Sequence, residues 1–128
     1  MGGIVGRSFR IVAIDGVPVL EAPTADITFG ADGRVSGRAT VNRFAGPYSL
    51  DGDVLTMGPL AGTLMAGSPE AMEQEQRLHR ALARTLTVVP GEEQDREQGQ
   101  GRDSGRVELR AADEVVLLLV ATELAERM

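Results

Sequence analysis

The chain has 128 residues, the size of one domain, with 42% hydrophobic residues and a formal net charge of −6. The negative charge argues against a nucleic-acid partner and against an anionic membrane surface, because both require a basic patch. The absence of cysteine excludes disulfides, thiolate metal sites and cysteine nucleophiles.

Neither the N-terminus nor the longest apolar run indicates a membrane segment. The first residues, MGGIVGRSFRIV, lack the long apolar run of a signal peptide, and residues 115–121 (VVLLLVA) are too few to cross a bilayer. We therefore expect no membrane span and a cytoplasmic location. The alternative is a native signal or anchor segment that preceded residue 1 and was removed.

The first half of the chain alternates strand-like segments with turn signals. Asp15-Gly16, Gly30 to Gly33 and Asp51-Gly52-Asp53 supply the residues that tight turns favour. Between them lie apolar or β-branched segments that predict an antiparallel meander, with strands at residues 8–14, 26–29, 34–40, 44–50 and 54–57.

A helix is predicted over residues 69–83. Ser68 can cap the free N–H groups and Pro69 is suited to the first helical position. Apolar residues recur at helical spacing through Leu78 and Leu82, and basic residues follow toward the C-terminal end. A strand at residues 85–89 is expected directly after the helix.

The last third contains a polar segment and a second hairpin. Residues 90–105 hold five acidic and two basic residues and no aliphatic residue, which predicts a flexible acidic loop. Residues 106–110 and 114–121 then form a hairpin with Ala-Ala-Asp at its turn. Because the last strand is apolar on both faces, we expect it to be central or covered by the helix.

These elements predict a single α+β domain over residues 1–128. Its architecture is a curved, mostly antiparallel sheet, barrel-like but partly open, with one helix packed across the open face. An open sheet edge also predicts a monomer or a weak homodimer formed through that edge.

The central part of the chain contains a characteristic series of residues: Thr40 to Tyr48 (TVNRFAGPY), then Gly52 to Gly58, then Thr63 to Gly67 (TLMAG), and Met72 with Glu75 in the helix. In these residues the chain resembles the META domain family, which includes the heat-shock protein HslJ. The resemblance covers most of the chain, without residues 90–105 and the last few positions. It implies a small β-rich fold with one helix and a stress-related or envelope-linked setting, and it implies little about biochemical activity.

The chain departs from this family pattern at informative positions. Val41 and Gly67 stand where the family has a pair of cysteines, so both members of the pair are replaced together. That joint loss fits positions that approach one another. Leu64 replaces an arginine, and Phe9 replaces the usual tryptophan.

Glu75 is the first candidate site residue. Helical spacing from Met72 and Leu78 places its carboxylate on the apolar stripe of the helix. A carboxylate there needs hydrogen-bond donors, since burial without them is costly. We weigh a general acid or base with a raised pKa against a structural acceptor that ties the helix to the meander near Asn42 or Thr63, and favour the second.

Asn42 and Arg43 form the second candidate site. The pair could bind a carboxylate or phosphate. Alternatively, Asn42 serves a left-handed or bulged backbone between two strands. Met65 and Met72, together with Met57, would line an adaptable apolar pocket or fill the core.

Few features of the sequence indicate a catalytic site or a metal site. His79 is the single histidine and lies between Arg77 and Arg80, where we expect an inert, partly exposed side chain. No nucleophile elbow, phosphate-binding glycine loop or zinc spacing is present, so no enzyme, metal or cofactor is predicted.

The leading hypothesis is a non-catalytic binding or structural module associated with stress. The alternative is a carrier of a small apolar ligand, with a pocket between helix and sheet. In that case Asn42, Arg43, Glu75, Met65 and Met72 are the candidate ligand residues. In the leading case Asn42, Thr63 and Glu75 form a structural polar network.

Overall fold

A computed structural model describes residues 4–20, 25–63, 65–90 and 105–122. Within these ranges the chain forms ten strands and one helix. In chain order they are β1 (Arg7–Ile14), β2 (Val17–Pro18), β3 (Ala25–Phe29), β4 (Arg34–Arg38), β5 (Arg43–Asp51), β6 (Val54–Met57), β7 (Ala61–Gly62), α1 (Pro69–Leu82), β8 (Leu86–Pro90), β9 (Arg106–Ala111) and β10 (Glu114–Ala121).

Eight of the strands close into an antiparallel barrel. The sheet runs β10-β9-β8-β6-β5-β4-β3-β1, and β10 also pairs with β1. That closing ladder brings Phe9 opposite Ala121 and Ile11 opposite Leu119. The prediction of a partly open sheet is therefore wrong, although the mostly antiparallel α+β class is confirmed. Closure also joins the two sheet ends on which the expected weak homodimer depended.

The core fills the interior of the barrel with inward-facing side chains from every part of the sheet. Strict alternation along β3 buries Ala25, Ile27 and Phe29 and turns Asp26 and Thr28 outward. The few aromatic residues lie together, with Phe29 in edge-to-face contact with both Phe9 and Tyr48. Most of the other large buried side chains are Ile and Leu, as the composition predicts.

The helix lies across one end of the barrel. Ser68 accepts a hydrogen bond from the Ala71 N–H group, and Pro69 follows at the first helical position. The buried face of α1 includes Leu78 and Leu82, which join the barrel core. Its polar side chains bond to residues 20 and 40–42, where β2 and β4 have ended and β5 begins. The sheet has no open face for the helix to cover, so α1 closes an end instead.

The predicted elements agree with the structure within two residues at each end. Two strands, β2 and β7, were not predicted, because each has only two residues and so shows no alternating pattern. The last strand, β10, is central because it lies between β9 and β1. Of the acidic loop predicted over residues 90–105, Pro90 ends β8, and residues 91–104 lie outside the described residues. Within the described residues, no helix has the length and hydrophobicity that a bilayer span requires.

Candidate functional site

Glu75 holds α1 against the connection between β4 and β5. Its carboxylate is almost fully buried, with 5% of the residue exposed. Oε2 accepts hydrogen bonds from the backbone N–H groups of Val41 (2.6 Å) and Asn42 (2.7 Å). Oε1 accepts a third bond from Asn42 Nδ2 at 3.0 Å. Three donors from two adjacent residues therefore converge on one carboxylate.

The Asn42 side chain is fully used within the same network. Nδ2 donates to the Met65 carbonyl as well as to Glu75, while Oδ1 accepts from Thr63 Oγ1 (2.8 Å) and from the Met65 N–H group (2.6 Å). Asn42, Thr63 and Glu75 are thus linked directly by hydrogen bonds. The backbone of Asn42 does not have a positive φ, so a left-handed conformation is not the reason for asparagine here. The hydrogen bonds of its side-chain amide supply a reason.

The hydrogen bonds around Glu75 determine its charge state. Burial alone would raise the pKa of this carboxyl group. The hydrogen bonds from the Asn42 side chain and from the N–H groups of Asn42 and Val41, with a smaller contribution from nearby His79, outweigh burial and hold the pKa below its ordinary value. Glu75 is therefore an anion at neutral pH, and the raised pKa expected of a general acid is not present.

Gln74 is a second polar anchor that the sequence reasoning missed. It is 2% exposed, its Oε1 accepts from the Leu20 N–H group at 2.8 Å, and its Nε2 donates to Thr40 Oγ1 at 2.9 Å. Its spacing could have predicted its burial, since Gln74 lies four residues before Leu78 and therefore on the same buried stripe of α1.

A surface groove of about 370 Å³ runs between α1 and the described residues Gly62, Thr63, Met65 and Ala66. Met65 is 54% exposed and Met72 is half-buried at its wall. Met57 lies elsewhere and packs against the core. All five predicted ligand residues line this one groove: Asn42, Arg43, Met65, Met72 and Glu75. We refer to it as the methionine groove.

His79 also lines the methionine groove, from the exposed flank of α1. Its ring forms a T-shaped contact with the Phe44 ring, with centroids 6.1 Å apart. Among the described residues, no serine lines this groove beside His79, so the described lining offers no serine nucleophile for it to activate. Within the described part of the chain, no group of three acidic or histidine side chains is placed to hold a metal ion.

Two solved structures share this fold. One, an NMR structure of a protein, is 23% identical with a TM-score of 0.66, over 93% of this chain and 92% of the other. The second, an NMR structure of a protein from Burkholderia xenovorans, is 20% identical with a TM-score of 0.66, over 92% of this chain and 83% of the other. At these identities the similarity concerns the fold alone.

The remaining comparisons concern sequence. A comparison with functionally curated proteins returned no match. The family model of the META domain matches residues 3–95, which is well over half of the chain and includes both α1 and the Asn42–Glu75 network. The chain therefore belongs to the META domain family.

Proposed function

We propose that this META domain is a non-catalytic binding module, associated with stress, in which Glu75 is a structural acceptor and the methionine groove receives the partner. The observation that carries the proposal is the complete engagement of the Glu75 carboxylate by Val41 and Asn42. A general base needs a lone pair within reach of a substrate proton, and here both carboxylate oxygens already accept bonds from the protein.

The lowered pKa of Glu75 supports the same assignment. A carboxyl group suited to acid or base catalysis near neutral pH has a pKa raised toward that pH. In this chain the surrounding donors shift the Glu75 pKa in the opposite direction. The carboxylate therefore acts as a fixed negative charge that orders the helix against the barrel.

The exposed methionine in the groove supports the binding of a partner there. It also supports a second candidate function, that of a carrier for a small apolar ligand. Met65 leaves more than half of its surface in solvent although it is a large apolar residue. Methionine side chains adapt to irregular apolar partners, and Met72 lies in the same groove. Arg43 at the rim supplies a positive charge that would orient a ligand with an anionic end.

An NMR titration of methyl-labelled methionines tests the groove. The probe is 1-anilinonaphthalene-8-sulfonate, an apolar molecule with one negative charge. We expect saturable shifts of the Met65 and Met72 methyl signals and no shift for Met57, which serves as an internal control because it packs against the core.

A pair of variants completes this test. Met65→Gln removes the exposed apolar group and is expected to weaken probe binding about fivefold or more. Val54→Thr changes another exposed apolar residue, which lies outside the groove, and is expected to leave binding unchanged. Equal weakening by both variants, or shifts at Met57 alone, would contradict binding in the methionine groove.

A further inference from the structure

We propose that the outer face of the barrel carries a second binding site, for a phosphate monoester, held by Arg38 and by Arg43, which also lines the neighbouring methionine groove. The site is an open groove of about 640 Å³ on the exterior of β3, β4, β5 and β7. This proposal goes beyond the methionine groove, because Arg38 and the floor of the outer groove do not line that groove.

The register of the sheet places an unusual row of charges along this face. Arg10 on β1 lies opposite Asp26 on β3, Asp26 opposite Arg38 on β4, and Arg38 opposite Arg43 on β5. Directly opposed residues project from the same face, and here that face is the exterior. Three arginines and one aspartate thus form a net positive row on a chain whose total charge is −6.

The pairing of Arg38 with Arg43 needs an explanation. Like charges directly opposite one another destabilise an antiparallel pair. The Asp26 carboxylate accepts a hydrogen bond from the backbone N–H group of Arg38 at 3.1 Å, and not from its guanidinium. Within the described residues, neither the Arg38 nor the Arg43 guanidinium forms an ion pair with an acidic side chain. An anion between the two guanidiniums would remove the repulsion.

The floor of the groove leaves room for a bound molecule. Beside the charged row, the exterior surface is built from small side chains, Thr28, Ser36 and Ala45, and residues 61–63 form the far wall. Gly37 completes the floor, where an added Cβ would overlap the carbonyl oxygen of Asp26. The volume is within the range of small-molecule sites, roughly 300–1,000 Å³.

The two positive guanidinium charges favour a phosphate monoester over a carboxylate as the bound anion. Two guanidiniums from adjacent strands can each present paired N–H donors, which match the oxygens of a phosphate group. A phosphate monoester carries about two negative charges at neutral pH, against one for a carboxylate. The organic part of the ester would lie over Thr28, Ser36 and Ala45.

The test is an NMR titration of the intact ¹⁵N-labelled chain with phenyl phosphate, inorganic phosphate and benzoate. We expect saturable shifts with phenyl phosphate at Gly37 and Ala45, which line the outer groove and not the methionine groove, at a Kd of about 1 mM or tighter. Benzoate should bind about fivefold or more weakly, because it carries less charge. If inorganic phosphate binds and phenyl phosphate does not, the site is one for free phosphate and the proposal of a phosphate monoester is wrong.

Four single variants decide which residues are responsible. Arg38→Gln and Arg43→Gln should each weaken the binding of phenyl phosphate about fivefold or more. Arg10 lies in the same row but outside the groove lining, so Arg10→Gln should change the affinity by less than about twofold. Asp26→Asn keeps an oxygen for the Arg38 N–H group and removes the negative charge, so binding should tighten. Each variant is checked for an unchanged spectrum away from the site.

Three further results would overturn the proposal. They are an absence of saturable shifts, equal weakening by Arg10→Gln and Arg38→Gln, and no tightening in Asp26→Asn. Arg38 and Asp26 lie outside the methionine groove, so failure of this site would leave the titration of Met65 and Met72 unaffected.

Discussion

Glu75 explains why a charged residue stands on the buried face of α1. A buried carboxylate is tolerated when several donors replace its lost hydration. Here Val41 and Asn42 supply two backbone N–H groups and one side-chain N–H group, and Asn42 cannot turn its amide around without losing the bonds from Thr63 and Met65. Every group around the carboxylate is therefore a donor whose orientation is fixed.

Glu75→Gln should change how stability depends on pH. The pKa of Glu75 is lowered in the folded chain, so its charge contributes stability above the unfolded pKa of about 4.5, and this contribution is lost as pH falls through the lower folded pKa. Urea unfolding from neutral pH to pH 3 should show wild type and Glu75→Gln converging below about pH 4.5.

Glu73→Gln is the matched control for this pH experiment. Glu73 lies on the same helix but is 71% exposed and meets Arg77 at a loose 3.6 Å, so the change should cost less than about 0.5 kcal/mol at any pH. A constant difference between wild type and Glu75→Gln down to pH 3 would show that the charge of Glu75 is not what stabilises the fold.

Sequence spacing predicts part of the residue-scale picture. The placement of Glu75 on the buried stripe follows from its distance to Met72 and Leu78. The family resemblance and the need for donors point to Asn42 and Thr63. The interlocking of Asn42 with the backbone of Met65 depends on tertiary structure, because residues 23 positions apart meet only after β5 and β7 have paired.

Among the secondary-structure elements, the ends of α1 are readable because they depend on local chemistry. Ser68 caps the first turn, and the helix ends at Leu82, one residue before the predicted end. The two missed strands, β2 and β7, are only two residues long, and β7 is Ala61-Gly62, which carries no strand preference. Strand β7 exists because it pairs with β5, and no short-range pattern reveals that pairing.

The packing of Val41 against Gly67 accounts for the joint replacement of two family cysteines. A Cβ atom added at Gly67 would lie 3.6 Å from the Val41 Cβ and 2.5 Å from the Val41 Cγ2. The first distance suits a disulfide, whose Cβ atoms are usually about 3.5–4.5 Å apart. The second shows that glycine at 67 makes room for the branched side chain of Val41.

Val41→Cys combined with Gly67→Cys should form a disulfide under oxidising conditions. Gly67 does not have a positive φ, so cysteine fits its backbone. Closing the loop between these residues should raise the free energy of unfolding by about 3 kcal/mol relative to the reduced form. Urea unfolding with and without reductant measures the difference.

Single substitutions separate the disulfide from packing effects. Gly67→Ala alone should destabilise the chain, because Val41 Cγ2 occupies the space. If the oxidised double variant still titrates two free thiols, the two positions do not approach as the structure has them.

At the scale of the whole molecule, barrel closure is the feature that the sequence did not predict. Local alternation and turns predict the meander of β3 to β6 and the hairpin of β9 and β10. The ladder between β1 and β10 joins the two ends of the chain, and Phe9 and Ala121 become neighbours although no local signal connects them. The helix buries Leu78 and Leu82 in the core of this closed barrel, and its position there forms one wall of the methionine groove.

The central claim is that Glu75 is a structural acceptor and not a ligand or catalytic group. Its most direct test is urea unfolding of Glu75→Leu and Glu75→Gln at neutral pH, with the naphthalene sulfonate titration repeated on each folded variant. We expect Glu75→Leu to lose more than about 2 kcal/mol, because three donors are left unpaired. Glu75→Gln should also lose stability, since either orientation of its amide places an N–H group against a donor, and it should still bind the probe. Variants that fold as stably as wild type but no longer bind the probe would contradict the claim and make Glu75 part of the binding site.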